Sequence, residues 1–149
     1  MLGAQKLGIE TENIIKGLEN AENPARFEMV GDRIIFDGSH NPSGVKTLVE
    51  NLKKYFPQEE KLFIMASMKD KDITENLKLV SPLTKEIRFV KVKDNERSAS
   101  AEELALQAEK LGIYGVACDS LEQALKDTDE KLVVICGSLY LYKDFKEMK

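Results

Sequence analysis

The chain has 149 residues, of which 42% are hydrophobic and 32% charged, and its formal net charge is −4. This is the length of one domain and the composition of an ordinary globular protein. The negative charge without a basic stripe argues against a nucleic-acid-binding surface, and no apolar stretch approaches the roughly 18 residues of a membrane span. Cys118 and Cys136 lie in apolar runs. We therefore expect buried thiols in a cytoplasmic protein, and neither a disulfide nor a zinc site.

The N-terminal part of the sequence predicts a helix and then a hairpin. Residues 1 to 20 have helical apolar spacing, and Asn23-Pro24 ends that pattern. Two short apolar runs follow, the first ending at Val30 and the second beginning at Arg33. Because glycine comes first in the two-residue loop Gly31-Asp32, the pattern predicts an antiparallel pair with a type II′ turn. We expect this pair at an edge of the sheet.

From residue 41 onwards, predicted helices alternate with predicted strands. Asn41 suits the N-cap and Pro42 the first turn of a helix, and Ser100 begins a second helix with a capping box. The remaining pattern predicts strands at 62–66, 87–92, 114–118 and 132–136 and helices at 73–80, 101–111, 121–126 and after 138. It indicates an α/β fold: a Rossmann-like, mostly parallel sheet with helices on both faces and an antiparallel edge hairpin strand.

Polar residues follow most of the predicted strands. Asp37, His40 and Asn41 come after the first parallel strand. The later strands are followed by Ser67 with residues 69–72, by residues 94–97, by Asp119 and by Gly137-Ser138. Open parallel sheets bind ligands outside the carboxyl ends of their strands, so these residues mark a candidate site.

Well-known catalytic and phosphate-binding motifs do not fit this sequence. Gly38, Gly44 and Lys46 lack the G-x-x-x-x-G-K-[ST] spacing of a P-loop, and no G-x-G-x-x-G follows a strand. His40 is the only histidine, so no second histidine could act as a base for Ser138. Taken alone, His40 is more often a residue that braces a loop than a catalyst.

Five stretches, taken together, resemble the C-terminal domain of the Mur ligase family, and within it the folylpolyglutamate/dihydrofolate synthases. They are PARFE (24–28), FDGSHNP (36–42), MKDKD (68–72), NERSAS (95–100) and CGSLY (136–140). They come in the family's order and spacing and cover nearly the whole chain. Ser39 stands where alanine is commoner in the family.

The resemblance implies an ATP-dependent ligase that joins L-glutamate to a reduced folate or to dihydropteroate through an acyl phosphate. Residues 1–23 would then be a linker or helical tail of the preceding domain, and 24–149 the glutamate ligase domain. The family's P-loop and Mg²⁺ ligands belong to a separate central domain, which this sequence lacks. We therefore expect the chain alone to be inactive.

The resemblance also implies roles for individual residues. Arg26, Asp37 and Asn41 would bind the nucleotide, with Arg26 and Asp37 at least partly exposed. His40 would be catalytic, acting at the phosphate end, and its alternative role is to brace the loop through a backbone carbonyl. Arg97 and Ser138 would bind the incoming amino acid.

Two other interpretations remain open at this point. One is a stand-alone Rossmann-like module that binds a nucleotide or a small acid. The other is the same domain from a peptidoglycan-precursor or cyanophycin ligase, which shares the family but not the substrate.

Overall fold

The computed structural model describes residues 26–128 and 131–147, which include six strands. These are β1 (Glu28–Val30), β2 (Ile34–Phe36), β3 (Lys61–Met65), β4 (Thr84–Phe89), β5 (Gly115–Ala117) and β6 (Leu132–Cys136). They form one sheet in the order β1-β2-β6-β3-β4-β5. Among these six strands, only β1 and β2 pair in antiparallel fashion. The predicted α/β fold and its antiparallel edge strand are confirmed.

The described helices are α1 (Pro42–Tyr55), α2 (Thr74–Val80), α3 (Ala101–Lys110), α4 (Leu121–Ala124) and α5 (Tyr140–Glu147). Asn41 and Ser100 are N-caps, as predicted, because their side chains accept hydrogen bonds from the third residue beyond them. A 3₁₀ turn, Ser81–Leu83, follows α2 directly. The helix predicted for residues 1 to 20 lies outside the described residues.

The hairpin turn differs from the prediction. Val30 pairs with Ile34, so the loop has three residues, and the predicted two-residue type II′ turn is wrong. Gly31 has the positive φ (68°) for which glycine was expected. The carbonyl oxygen of the third loop residue, Arg33, accepts a hydrogen bond from the N–H of Val133 in β6 (2.8 Å).

The fourth strand is displaced from its predicted position. β4 begins at Thr84 and ends at Phe89, whereas alternation in the sequence predicts a strand over 87–92. Val92 is buried, but its N–H donates to the hydroxyl of Ser98 (3.0 Å) in the following loop. The N–H of Val92 is thus satisfied by the Ser98 side chain and not by a neighbouring strand. Alternation of apolar residues in the sequence cannot distinguish these two cases.

The sheet is covered on both faces. On one face, α1, α2 and α3 pack against β3 and β6 through a cluster that includes Leu48, Leu77 and Leu104. On the other face, α4 and α5 pack through a cluster that includes Leu121 and Phe145. All residues of β3 and β6 are buried, as expected for central parallel strands. Among the described helices, none has the length and apolar character needed to cross a bilayer.

Candidate functional site

Asp37 follows β2 and is buried, with 3% of its surface exposed. Its Oδ2 accepts a hydrogen bond from the N–H of Phe27 (3.1 Å), and its Oδ1 accepts one from the N–H of Ser39 (2.8 Å). The hydroxyl of Ser39 also donates to Oδ1. The carboxylate therefore ties the start of the β2–α1 loop to the segment before β1.

The expectation that Asp37 is at least partly exposed is therefore wrong. A buried carboxylate needs donors, and in the described structure the chain supplies them from its own backbone and from one hydroxyl. Arg26, in contrast, is exposed as expected. Its neighbour Phe27 is buried and has φ of 50°, a conformation that bulky residues rarely adopt. The Asp37 hydrogen bond thus holds a strained backbone directly beside the exposed arginine.

His40 and Asn41 complete the loop that leads into α1. His40 is exposed, and its Nδ1 lies 3.2 Å from the carbonyl oxygen of Gly38. Because a carbonyl can only accept, Nδ1 carries the proton of this hydrogen bond. The Oδ1 of Asn41 accepts from the N–H of Gly44 (2.9 Å) and caps the helix. The 14-residue helix α1 therefore begins beside the exposed imidazole.

Ser138 reaches the same end of the sheet from β6. The N–H of Gly137 donates to the carbonyl oxygen of Ser39 (2.9 Å), which joins the β6 terminus to the β2–α1 loop. Gly137 has φ of 99°, and a Cβ there would lie within 3.0 Å of the carbonyl oxygen of Ala66 at the end of β3. Ser138 is buried, and its hydroxyl oxygen accepts from the N–H of Tyr140 (3.2 Å) at the start of α5.

Arg97 lies in a second group, which joins the loops after β3 and β4. It is exposed, and its guanidinium is 3.8 Å from the carboxylate of Asp70. Its carbonyl oxygen accepts from the N–H of Lys69 (2.6 Å). The Ser67 carbonyl oxygen accepts from Ala99 (2.8 Å). Arg97 is thereby positioned by the Lys69–Asp72 segment.

The structure thus brings five of the six predicted site residues into connected segments. Hydrogen bonds link the segments that carry Arg26, Asp37, His40, Asn41 and Ser138. Arg97 belongs to the group at the end of β4, which β3 separates from β6. No group of three or more metal-ligating side chains occurs within the described residues.

A sequence profile described as "Mur ligase, glutamate ligase domain" matches residues 25–139. The chain belongs to the Mur ligase family. Its matched segment begins just before Arg26 and ends just after Ser138, so it contains all six predicted site residues.

Similar Mur ligases include folate enzymes. The chain is 31% identical over 133 residues to folylpolyglutamate synthase of Lacticaseibacillus casei, covering 87% of this chain and 30% of that protein. It is 32% identical over 142 residues to dihydrofolate synthase/folylpolyglutamate synthase of Escherichia coli (strain K12), covering 89% and 32%. The structure of the bifunctional enzyme from Yersinia pestis, complexed with AMPPNP and Mn ion, superposes with a TM-score of 0.75 at 27% identity, covering 89% and 33%. The chain spans about a third of the length of these relatives.

Two residues of the candidate site were missed in the sequence. Ser39 is a direct partner of the Asp37 carboxylate, and an Asp followed two residues later by Ser is a sequence signal for such a turn. Asn76 is buried in α2 and donates from Nδ2 to the carbonyl oxygen of His40 (3.1 Å). Its position three residues after Ile73 and four before Val80 places a polar side chain on the buried face of a helix, which is a second usable signal.

Proposed function

We propose that the chain is the C-terminal domain of a cytoplasmic ATP-dependent ligase that adds L-glutamate to folates through an acyl phosphate. The observation that carries the proposal is the family match over 25–139 to a glutamate ligase domain, with folate enzymes among the relatives. In this proposal residues 24–149 form the glutamate ligase domain, and residues 1–23 belong to the linker that precedes it. The domain closes over the nucleotide with the end of the sheet that carries Asp37 and His40.

The nucleotide side of the proposed site is formed by Arg26 and the loop before α1. The exposed guanidinium of Arg26 can pair with phosphate oxygens, which a planar fork of donors matches well. Asp37 acts through this arginine, since its carboxylate is used to hold Phe27 and Ser39. Asn41 caps α1, whose N-terminal dipole favours an anion beside it.

His40 is the proposed catalytic group. Its Nδ1 faces the Gly38 carbonyl, so Nε2 is the ring atom that would face a phosphate. Nε2 donates a hydrogen bond only when the ring also carries a proton there, which makes the imidazole a cation while Nδ1 keeps its own proton. In that form His40 would stabilise charge on the transferring phosphate and on the acyl phosphate.

The glutamate side is proposed to involve Arg97 and Ser138. An exposed guanidinium can bind a carboxylate of the incoming amino acid, which would compete with the carboxylate of Asp70 at 3.8 Å. Ser138 adds a hydroxyl whose oxygen is already oriented by Tyr140. Arg97 and Ser138 follow β4 and β6, whereas the residues proposed to bind phosphate lie near the end of β2.

ATP and Mg²⁺ are the proposed cosubstrate and metal. The structure of the Yersinia pestis relative is complexed with AMPPNP and Mn ion. In this proposal Mg²⁺ binds in the separate P-loop domain that the family resemblance implies for the complete enzyme. The chain by itself should show no turnover, because its sequence has no phosphate-cradling motif.

The test is an assay of the complete gene product with MgATP and L-glutamate. Folate-dependent ADP release and a lengthened folate are expected with tetrahydrofolate, and dihydropteroate as acceptor tests the second activity. Activity only with a muramoyl peptide or an aspartate-arginine peptide would move the enzyme to another branch of the family. ADP binding without turnover on any carboxylate acceptor would favour the binding-module interpretation.

A further inference from the structure

Asn76 connects α2 to the histidine of the site. It lies in α2 with 2% of its surface exposed, and its side chain reaches the β2–α1 loop, 36 residues away in sequence. There, its Nδ2 donates to the carbonyl oxygen of His40 at 3.1 Å. Since β6 lies between β2 and β3 in the sheet, this contact joins the segments that follow two non-adjacent strands.

The chemistry of the contact fixes the orientation of the Asn76 amide. A backbone carbonyl can only accept, so the NH₂ end must face His40. The other end, Oδ1, is then buried and has no hydrogen-bond partner among the described residues. A buried acceptor without a partner lowers stability, so stability alone does not account for an amide at this position.

The Asn76 amide restrains the peptide group that follows His40. His40 is exposed, and within the described residues its ring forms a hydrogen bond with the carbonyl of Gly38. The carbonyl that Asn76 holds belongs to the peptide bond between His40 and the N-cap residue Asn41. Rotation about the bond from the His40 Cα to this carbonyl would change the direction of the imidazole relative to the start of α1. The contact therefore restrains the backbone that carries the imidazole relative to the start of α1.

We propose that Asn76 is a positioning residue that holds the His40 carbonyl and thereby the imidazole at the strand ends. The role of the imidazole in catalysis rests on the proposed function above. The positioning itself does not, because it can be measured in this chain without any turnover. α2 begins next to the Lys69–Asp72 segment, which contacts Arg97. Asn76 therefore also connects that segment to the loop that carries His40.

The test uses the single histidine of the chain, whose ring signals need no further assignment. Long-range ¹H–¹⁵N NMR spectra report which ring nitrogen carries the proton, and they are recorded at a pH where imidazoles are neutral. Asn76→Asp keeps the shape of the side chain but removes the donor. Asn76→Ala removes the whole amide without adding a charge. Glu75→Gln is the matched control, an exposed position in the same helix turn.

We expect the wild type and Glu75→Gln to show the Nδ1-protonated ring that the Gly38 contact requires. Both Asn76 variants should shift toward the Nε2-protonated form that free histidine prefers, while circular dichroism shows a folded chain. Folded Asn76 variants with wild-type ring signals would overturn the proposal. Failure of both variants to fold would overturn it as well, because the amide would then be purely structural.

Kinetics of the complete gene product separate this proposal from the function of His40. If both hold, Asn76→Asp lowers kcat roughly 10- to 100-fold, as a small misplacement of a reacting group does, while KM for glutamate stays unchanged. A shifted ring spectrum with unchanged kcat would leave the positioning role standing and remove the catalytic role of the imidazole.

Discussion

The carboxylate of Asp37 accepts a hydrogen bond from the backbone N–H of Phe27, 3.1 Å away and ten residues earlier in the chain. This bond fastens the strained backbone of Phe27 to the end of β2. The backbone of Arg26, directly before Phe27, is therefore held at a defined position next to the sheet, although the Arg26 side chain is exposed. Asp37, which the sequence suggested as a nucleotide-binding residue, thus supports the backbone next to Arg26.

Asp37→Asn should reduce stability as well as activity. The amide keeps the side-chain shape but turns one acceptor into an N–H₂ group, which then faces the N–H of Phe27 or of Ser39. Leaving buried donors without an acceptor should lower the free energy of unfolding by on the order of 3 kcal/mol. Urea denaturation of the chain measures this change.

The control for this prediction is Asp119→Asn, a change at an exposed aspartate. It should alter the free energy of unfolding by less than about 0.5 kcal/mol. If Asp37→Asn is as stable as Asp119→Asn and still loses activity, Asp37 would have a direct role in nucleotide binding.

Gly137→Ala should disrupt the meeting point of β2, β3 and β6. The added methyl group would lie within 3.0 Å of the Ala66 carbonyl oxygen, and the φ of 99° disfavours any side chain. Backbone atoms cannot move aside cheaply, so we expect a loss of more than about 3 kcal/mol or an unfolded chain. Thermal unfolding followed by circular dichroism provides the measurement.

Gly112→Ala separates the two causes of this loss. Gly112 also has a positive φ (76°), but nothing lies within 4 Å of its added Cβ. It should therefore cost only the conformational part, about 1 kcal/mol. Similar losses in the two variants would mean that the contact with Ala66 relaxes and contributes little.

The sequence was sufficient to predict the sheet class, the edge hairpin and the central strands. Central strands such as β6 are continuous apolar runs, so burial on both faces is visible in composition alone. Helix starts were predictable where a cap is local, as at Asn41 and Ser100. The length of the hairpin loop was not predictable, because the carbonyl of Arg33 accepts a hydrogen bond from Val133 in β6, which is far away in sequence.

In the candidate site, too, local contacts were predictable from the sequence and long-range contacts were not. The β2–α1 loop residues are adjacent in sequence, so their proximity to one another needed no structure. The burial of Asp37 depends on Phe27, and the contact of His40 with Asn76 crosses 36 residues. Interactions of this kind depend on the order of strands in the sheet, which local patterns do not encode.

The two cysteine thiols should react slowly and in a fixed order. Burial, together with the nearby Asp37 carboxylate, raises the pKa of Cys136 far above its usual range. Burial also raises the pKa of Cys118, which is 7% exposed. Because the thiolate is the reactive form, a raised pKa means less thiolate at any given pH. Alkylation rates should therefore rise only at a pH above that needed for a free cysteine.

Iodoacetamide labelling of Cys118→Ser and Cys136→Ser measures each thiol separately. We expect Cys118 to react first, and Cys136 to react only at the rate at which the chain opens. Added urea should raise the rate for Cys136 more than that for Cys118. Rapid labelling of Cys136 at neutral pH would contradict the burial of β6 between its neighbours.

Arg26→Ala should weaken nucleotide binding without changing the melting temperature. The side chain is exposed, so its removal leaves no buried group without a partner. Loss of a charge-assisted contact to phosphate costs about 1.5–3 kcal/mol, roughly a 10- to 100-fold change in affinity. Calorimetric titration of the complete gene product with MgADP measures this affinity.

Lys85→Ala provides the charge-matched comparison for Arg26→Ala. Lys85 is exposed in β4, near the opposite end of the strands from Arg26 and Asp37, so its removal should leave MgADP affinity unchanged. An equal decrease in both variants would indicate a general effect of net charge, and no specific role for Arg26.

Two substitutions at His40 distinguish a cationic role from a role in bracing the loop. Asparagine places its NH₂ group near the position of Nδ1 and can keep the hydrogen bond to the Gly38 carbonyl. Glutamine places its NH₂ group near Nε2, the atom proposed to face phosphate, but it cannot carry a charge. If charge on the imidazole stabilises the transferring phosphate, both variants lose kcat by about 10- to 100-fold, while glutamate KM and melting temperature stay near wild type. A fully active asparagine variant would show that His40 serves the loop through Gly38. A fully active glutamine variant would show that Nε2 acts as a neutral donor, because the side chain keeps that donor and lacks the charge.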